Sequence, residues 1–203
     1  MSRNALIAFG FATIAIVATA PAAATTLVST ATLTGTTEVP AVVTPGSGST
    51  IVTLDNVGHT LRVQSNFTGL VGTTTQSHIH CCVAPGANTG VATSLPSFPL
   101  FPLGVSSGTF DNTFDTTLAT TFGAAFITAN GGTVAGAEAA LFNGIAAGRA
   151  YYNIHTSFAG GGELRGLLAP VPEASTWAMM LVGFAGVGVA IRRRRGGMLT
   201  SRA

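Results

Sequence analysis

Lysine is absent from this 203-residue chain, and charge of either sign is scarce at 8%, against about a quarter in ordinary soluble proteins. With 47% apolar residues, that scarcity excludes a solvated, disordered chain. The 26 glycines follow no G-X-Y period, which excludes a collagen-like rod. All nine cations are arginines, and six of them are Arg3, Arg192, Arg193, Arg194, Arg195 and Arg202, near the two ends. Between Thr25 and Pro170 only Arg62, Arg149 and Arg165 face Glu38, Asp55, Asp111, Asp115, Glu138 and Glu163, so the body carries a net −3. That body offers no basic face, and no nucleic-acid partner is expected. A P-loop and a His-Glu-x-x-His zinc motif are missing. The seven scattered acids present no evident pair for glycoside hydrolysis.

The two ends read as addresses. Arg3, the uncharged apolar stretch Ala5 to Ala20 and the small residues Ala22-Ala23-Ala24 predict a signal peptide over residues 1–24, removed by signal peptidase. At the other end Pro172 and Glu173 precede an apolar run that predicts a transmembrane helix over 174–191. It is followed by the cluster Arg192 to Arg195 and a tail over 196–203. Eighteen helical residues span roughly 27 Å, close to the thickness of a hydrocarbon core. Trp177 suits the membrane interface, and the four arginines place this end on the cytoplasmic side, with the body outside. Box, helix and basic end over 171–195 closely resemble the PEP-CTERM sorting signal, with Ala174 where a second proline is usual. The resemblance implies recognition and removal by an exosortase-like enzyme, after transient anchoring in the cytoplasmic membrane.

The middle, residues 25–170, is long enough for one core, and its Thr, Val and Gly content predicts strands and turns. Leu27 to Leu33, Thr50 to Asp55, Thr60 to Phe67, Gln76 to His80, Gly108 to Leu118, Arg149 to Thr156 and Glu163 to Leu168 read as strands. Asp55-Asn56-Val57-Gly58 supplies a hairpin turn. Residues 84–105, with Pro85, Pro96, Pro99 and Pro102, read as a long ordered loop. Phe122 to Ala129 and Val134 to Ala147 read as short helices, the second stopped by Gly148. The pattern is that of an all-β sandwich or barrel with one or two short helices.

Candidate chemistry gathers around histidine. On a strand, residues two apart share a face, so His78 and His80 stand together while Ile79 turns to the other side. In Tyr151 to His155 the same period puts Tyr152 and Ile154 on one face, and Tyr151, Asn153 and His155 on the other. If Ile79 and Ile154 enter the core, His78, His80 and His155 share the opposite surface. Such a set is either a copper or zinc site, with Asn153 or Glu163 holding the outer ring nitrogens, or a group of hydrogen-bonded structural histidines. His59, alone after a turn, reads as surface.

Cys81 and Cys82 follow directly. Outside the cytoplasm thiols oxidise, and no other cysteine exists in the chain. Across a trans peptide their Cα atoms would lie about 3.8 Å apart, closer than disulfides prefer. A vicinal disulfide, soft ligation of a metal and pairing between chains are the three readings.

In combination, Glu38-Val39-Pro40, Ser77-His78-Ile79-His80, Gly148 to Thr156 and Gly162-Glu163-Leu164-Arg165-Gly166 resemble the CHRD domain over residues 26–169. The resemblance implies an all-β, immunoglobulin-like domain with no established enzymatic activity. Cys81-Cys82 and the proline-rich loop resemble a bacterial subtype, so growth-factor binding is not implied. The histidine pair and His155 are also similar to part of the copper–zinc superoxide dismutase ligand set. The expectation is therefore a non-enzymatic exported protein of the cell surface or matrix, in contact with exopolysaccharide. The alternative is an extracytoplasmic copper or zinc protein, with a dismutase-like enzyme third.

Overall fold

The computed structural model describes residues 26–172, 180–187 and 192. The expected signal peptide 1–24, Glu173, Arg193 to Arg195 and the tail 196–203 lie outside the described residues. Residues 180–187 and Arg192 are helical. Residues 180–187 belong to the span 174–191 expected as a membrane helix and Arg192 to the arginine cluster after it, but among the described residues no helix is long and apolar enough to cross a membrane.

Eight strands form one antiparallel sheet: β1 (Thr26–Thr34), β2 (Ser47–Asp55), β3 (Thr60–Thr68), β4 (Thr74–Cys81), β5 (Gly108–Asp115), β6 (Ala150–Thr156), β7 (Leu164–Leu167) and β8 (Ala169–Pro170). The order across the sheet is β4-β6-β7-β1-β2-β3-β5, with β8 paired to β1. Strands β1, β2 and β3 form a meander in unbroken register, Thr26 opposite Asp55 and Ser47 opposite Thr68. Asp55 closes the β2–β3 hairpin by accepting hydrogen bonds from the N–H groups of Val57 (2.9 Å) and Gly58 (2.7 Å).

Alternation decides which side chains point inward. Val52 and Leu54, Leu61, Val63 and Phe67, and Phe110 are buried, with polar neighbours between them outside. The sheet curls until its distant strands meet, so the expected sandwich or barrel takes the form of one continuous curled sheet. Its closure shows in the Tyr152 hydroxyl of β6, 3.1 Å from that of Ser65 on β3. Phe98, from the proline-rich loop, fills the space between, 5.2 Å from Phe114 and 6.3 Å from Tyr152, ring centre to ring centre. Truncating such a buried ring to alanine costs about 3–5 kcal/mol.

Two helices connect β5 to β6: α1 (Ala124–Ala129) and α2 (Val134–Ala146). Thr133 caps α2 by accepting from Gly136 N–H at 3.0 Å, and Gly148 ends it with a left-handed φ of 65°. Gly144 of α2 rests on the sulfurs of Cys81 and Cys82 and leaves no room for a Cβ.

Strand β6, β4 from Ser77 on and β7 as far as Gly166 are buried on both faces. Ile79, Tyr152 and Ile154 enter the core. The proline-rich loop pairs with the free edge of β4: Ala92 N–H donates to Ile79 carbonyl (2.9 Å) and Phe98 N–H to Ser77 carbonyl (3.1 Å). The edge is thereby closed to other strands.

Candidate metal centre

The second face of β4 and β6 carries the histidines. Asn153 stands opposite His78, Tyr151 opposite His80, and His155 opposite Gln76. His78, His80 and His155 each turn one ring nitrogen to a common point, and these three atoms lie within 4.8 Å of one another. His78 Nδ1 and His155 Nε2 are 3.3 Å apart.

The face is not an open surface, as the sequence suggests. His78 is 1% exposed, and His80 and His155 are each 8% exposed. Loop residues 89–96 and 157–162 roof the cluster, and their carbonyls hold the outer nitrogens. His78 Nε2–H donates to Pro96 (2.6 Å), His80 Nδ1–H to Thr89 (2.9 Å) and His155 Nδ1–H to Gly160 (3.0 Å). Those partners replace the expected Asn153 and Glu163. The Glu163 carboxylate instead accepts from Thr44 and Thr156 hydroxyls and from the N–H groups of Val71 and Gly72.

Each neutral imidazole has one N–H, and here each is already spent on a carbonyl. The inward nitrogens, His78 Nδ1, His80 Nε2 and His155 Nε2, are therefore bare lone pairs. The 3.3 Å contact between two of them sets lone pair against lone pair, and His80 Nε2 is buried without any partner. Burial pushes the pKa of His78 and of His80 down to about 4, and that of His155 down as well. The imidazoles are thus held neutral, the form in which they bind metal. Three nitrogens oriented from behind are what an ion with imidazole ligands requires, so the residues present fit copper or zinc.

Around the cluster, the Tyr151 ring stacks on His80 at 4.7 Å, and the Arg165 guanidinium lies 3.4 Å from the centre of the same tyrosine ring. Arg165 is itself buried and donates to Asn88 Oδ1 (2.7 Å) and Ala87 carbonyl (2.6 Å), pinning the proline-rich loop. Asn153 faces Glu38, whose carboxyl burial pushes up to about 7 despite Arg165 nearby. Glu38 Oε1 and Asn153 Oδ1 are both buried without partners. Sequence reading missed Glu38 and Arg165 as neighbours of the cluster. Their only signal was their place in the family-like segments.

Cys81 and Cys82 form a vicinal disulfide, and the peptide between them is cis with Cα atoms 3.1 Å apart, where the sequence reading assumed a trans peptide. No sulfur joins the histidine cluster. His59 lies apart, its Nδ1 3.0 Å from the carboxylate of Glu138.

Comparison with known families matches residues 29–168 to the CHRD domain. The chain belongs to the CHRD domain family. Residues 170–195 match the PEP-CTERM protein-sorting motif, which contains Pro172, Glu173 and Arg192 to Arg195. That motif implies export, membrane anchoring before processing, and processing by an exosortase-type system. Neither curated proteins nor solved structures give a match.

Proposed function

We propose that this CHRD protein is an exosortase-sorted, non-enzymatic component of the cell surface or extracellular matrix whose domain binds copper or zinc. Three inward lone pairs on His78, His80 and His155, each set by a carbonyl behind its ring, carry the metal reading. A group of merely structural histidines would spend both ring nitrogens on hydrogen bonds, and His80 Nε2 has none. The sorting motif supports export and exosortase-type processing; the surface or matrix location and contact with exopolysaccharide are part of the proposal.

Metal content, measured by mass spectrometry on protein from its own host, tests the reading. About one equivalent of copper or zinc per chain is expected, as for any single three-ligand site. Metal-free protein that also takes up neither ion from solution overturns it. A reporter fused after Ala203 tests the topology: it should be active on the cytoplasmic side before processing, and activity on the outer side only overturns that part.

A further inference from the structure

We propose that the three-histidine centre selects monovalent copper over zinc, an inference that rests on the metal-binding reading above.

The donor set is three neutral imidazoles and nothing else. Among the described residues no carboxylate or thiolate joins the cluster. Both cysteines are tied to each other, and Glu163 is occupied by Thr44, Thr156, Val71 and Gly72. Glu38 is turned to Asn153 and supplies no ligand atom. A bound ion therefore keeps its full charge in a site where all three ligands are at most 8% exposed. The cost of burying charge rises steeply with that charge, so a divalent ion is disfavoured more than a monovalent one.

Arg165 adds to this. Its guanidinium lies on the far side of the Tyr151 ring, which stacks on His80 with an interplanar angle of 5°. A cation is thus placed across the Tyr151 ring from His80, and its repulsion counts twice for a 2+ ion.

Coordination number points the same way. Zinc takes four ligands almost without exception, and a three-histidine zinc site holds water or hydroxide at an open fourth position. Here the inward nitrogen His80 Nε2 is itself buried away from solvent, on the side where a fourth ligand would have to enter. Copper(I) accepts a trigonal set of three imidazoles. The nitrogens, all within 4.8 Å of one another, would draw together around it.

Anaerobic titration of the purified chain tests the proposal. The disulfide is first shown intact by the absence of free thiol, because released thiols would themselves take copper. Copper(I) is supplied from a bicinchoninate buffer, silver(I) serves as a monovalent stand-in without redox chemistry, and zinc is titrated against a chelator. One equivalent of copper(I) and of silver(I) should bind about 100-fold or more tightly than zinc, and His80→Gln should remove both. Zinc binding as tight as copper(I) overturns the selectivity and leaves the metal reading standing. Copper(I) binding that survives His80→Gln but is lost in a Cys81→Ala, Cys82→Ala variant also overturns it. Failure to bind any of the three ions overturns both readings.

Discussion

His78 and His155 lie 77 residues apart in the chain and bring Nδ1 of one to 3.3 Å from Nε2 of the other. Neither nitrogen has a proton to offer, because the outer N–H of each ring is held by Pro96 or Gly160. A metal ion between them would turn that repulsion into two bonds. His155→Gln should therefore lower metal affinity by about 100-fold or more, since disturbing even an outer partner costs about 10–100-fold. Competition against a chelator measures this, with circular dichroism to confirm the fold. Unchanged affinity would place the metal elsewhere.

Acid should destabilise the metal-free protein. His78 and His80 have folded pKa values of about 4, below the ordinary 6.5, with burial the leading cause. Between pH 6.5 and 4 the unfolded chain thus binds more protons than the folded one. Their contribution is intact above pH 6.5 and is lost as pH falls towards 4. Glu38 acts in the opposite sense over much of the same range, so the measurement belongs in a Glu38→Gln background. Urea unfolding there, with chelator present, should show a loss on the order of a few kcal/mol between pH 7 and 4.5. A flat profile would contradict the burial of these rings as neutral groups.

The fold-forming half of this site was legible because it depends on a period of two. Ile79, Tyr152 and Ile154 had to claim one face, and His78, His80 and His155 then shared the other. The roof was not legible. Pro96, Thr89 and Gly160 act through backbone carbonyls, which every residue possesses, so no side-chain pattern announces them. Burial of the histidine face was missed for the same reason: the proline-rich loop covers it by pairing with the β4 edge. The curl of the sheet was equally hidden, since it rests on contacts such as Ser65 with Tyr152, 87 residues apart.

Gly144→Ala should destabilise the protein although alanine is the better helix former. The added Cβ would collide with the sulfurs of Cys81 and Cys82, which are fixed to each other and cannot swing away. Overpacking of this kind costs about 1–3 kcal/mol, more than the gain of up to about 1 kcal/mol in helix propensity. The same change made in a Cys81→Ala, Cys82→Ala chain should be neutral or stabilising, because the obstacle is gone. Thermal or denaturant unfolding of the four proteins measures the coupling. Additive effects would show that α2 does not rest on the disulfide.

Glu38→Gln should stabilise the protein in alkaline more than in acidic buffer. Burial raises the Glu38 carboxyl to about 7, against an ordinary 4.5, while the charge of Arg165 and the Asn153 amide pull it down less strongly. The folded chain therefore keeps this proton through a range where the unfolded chain has released it. Below about pH 4.5 both states are protonated and the group is neutral to stability. As pH rises towards 7 the cost grows, and above 7 it is fully present, at about 3 kcal/mol as an upper bound. Glutamine removes the ionisation, and its amide can donate to Asn153 Oδ1, which is buried without a partner. Loss of a countercharge to Arg165 works against the gain, but burial is the larger influence on this carboxyl. The stability difference between variant and parent should thus widen by about 1–3 kcal/mol from pH 5 to pH 8. Denaturant unfolding at the two pH values measures it, and a difference independent of pH would mean that Glu38 ionises as freely in the folded protein as in the unfolded chain.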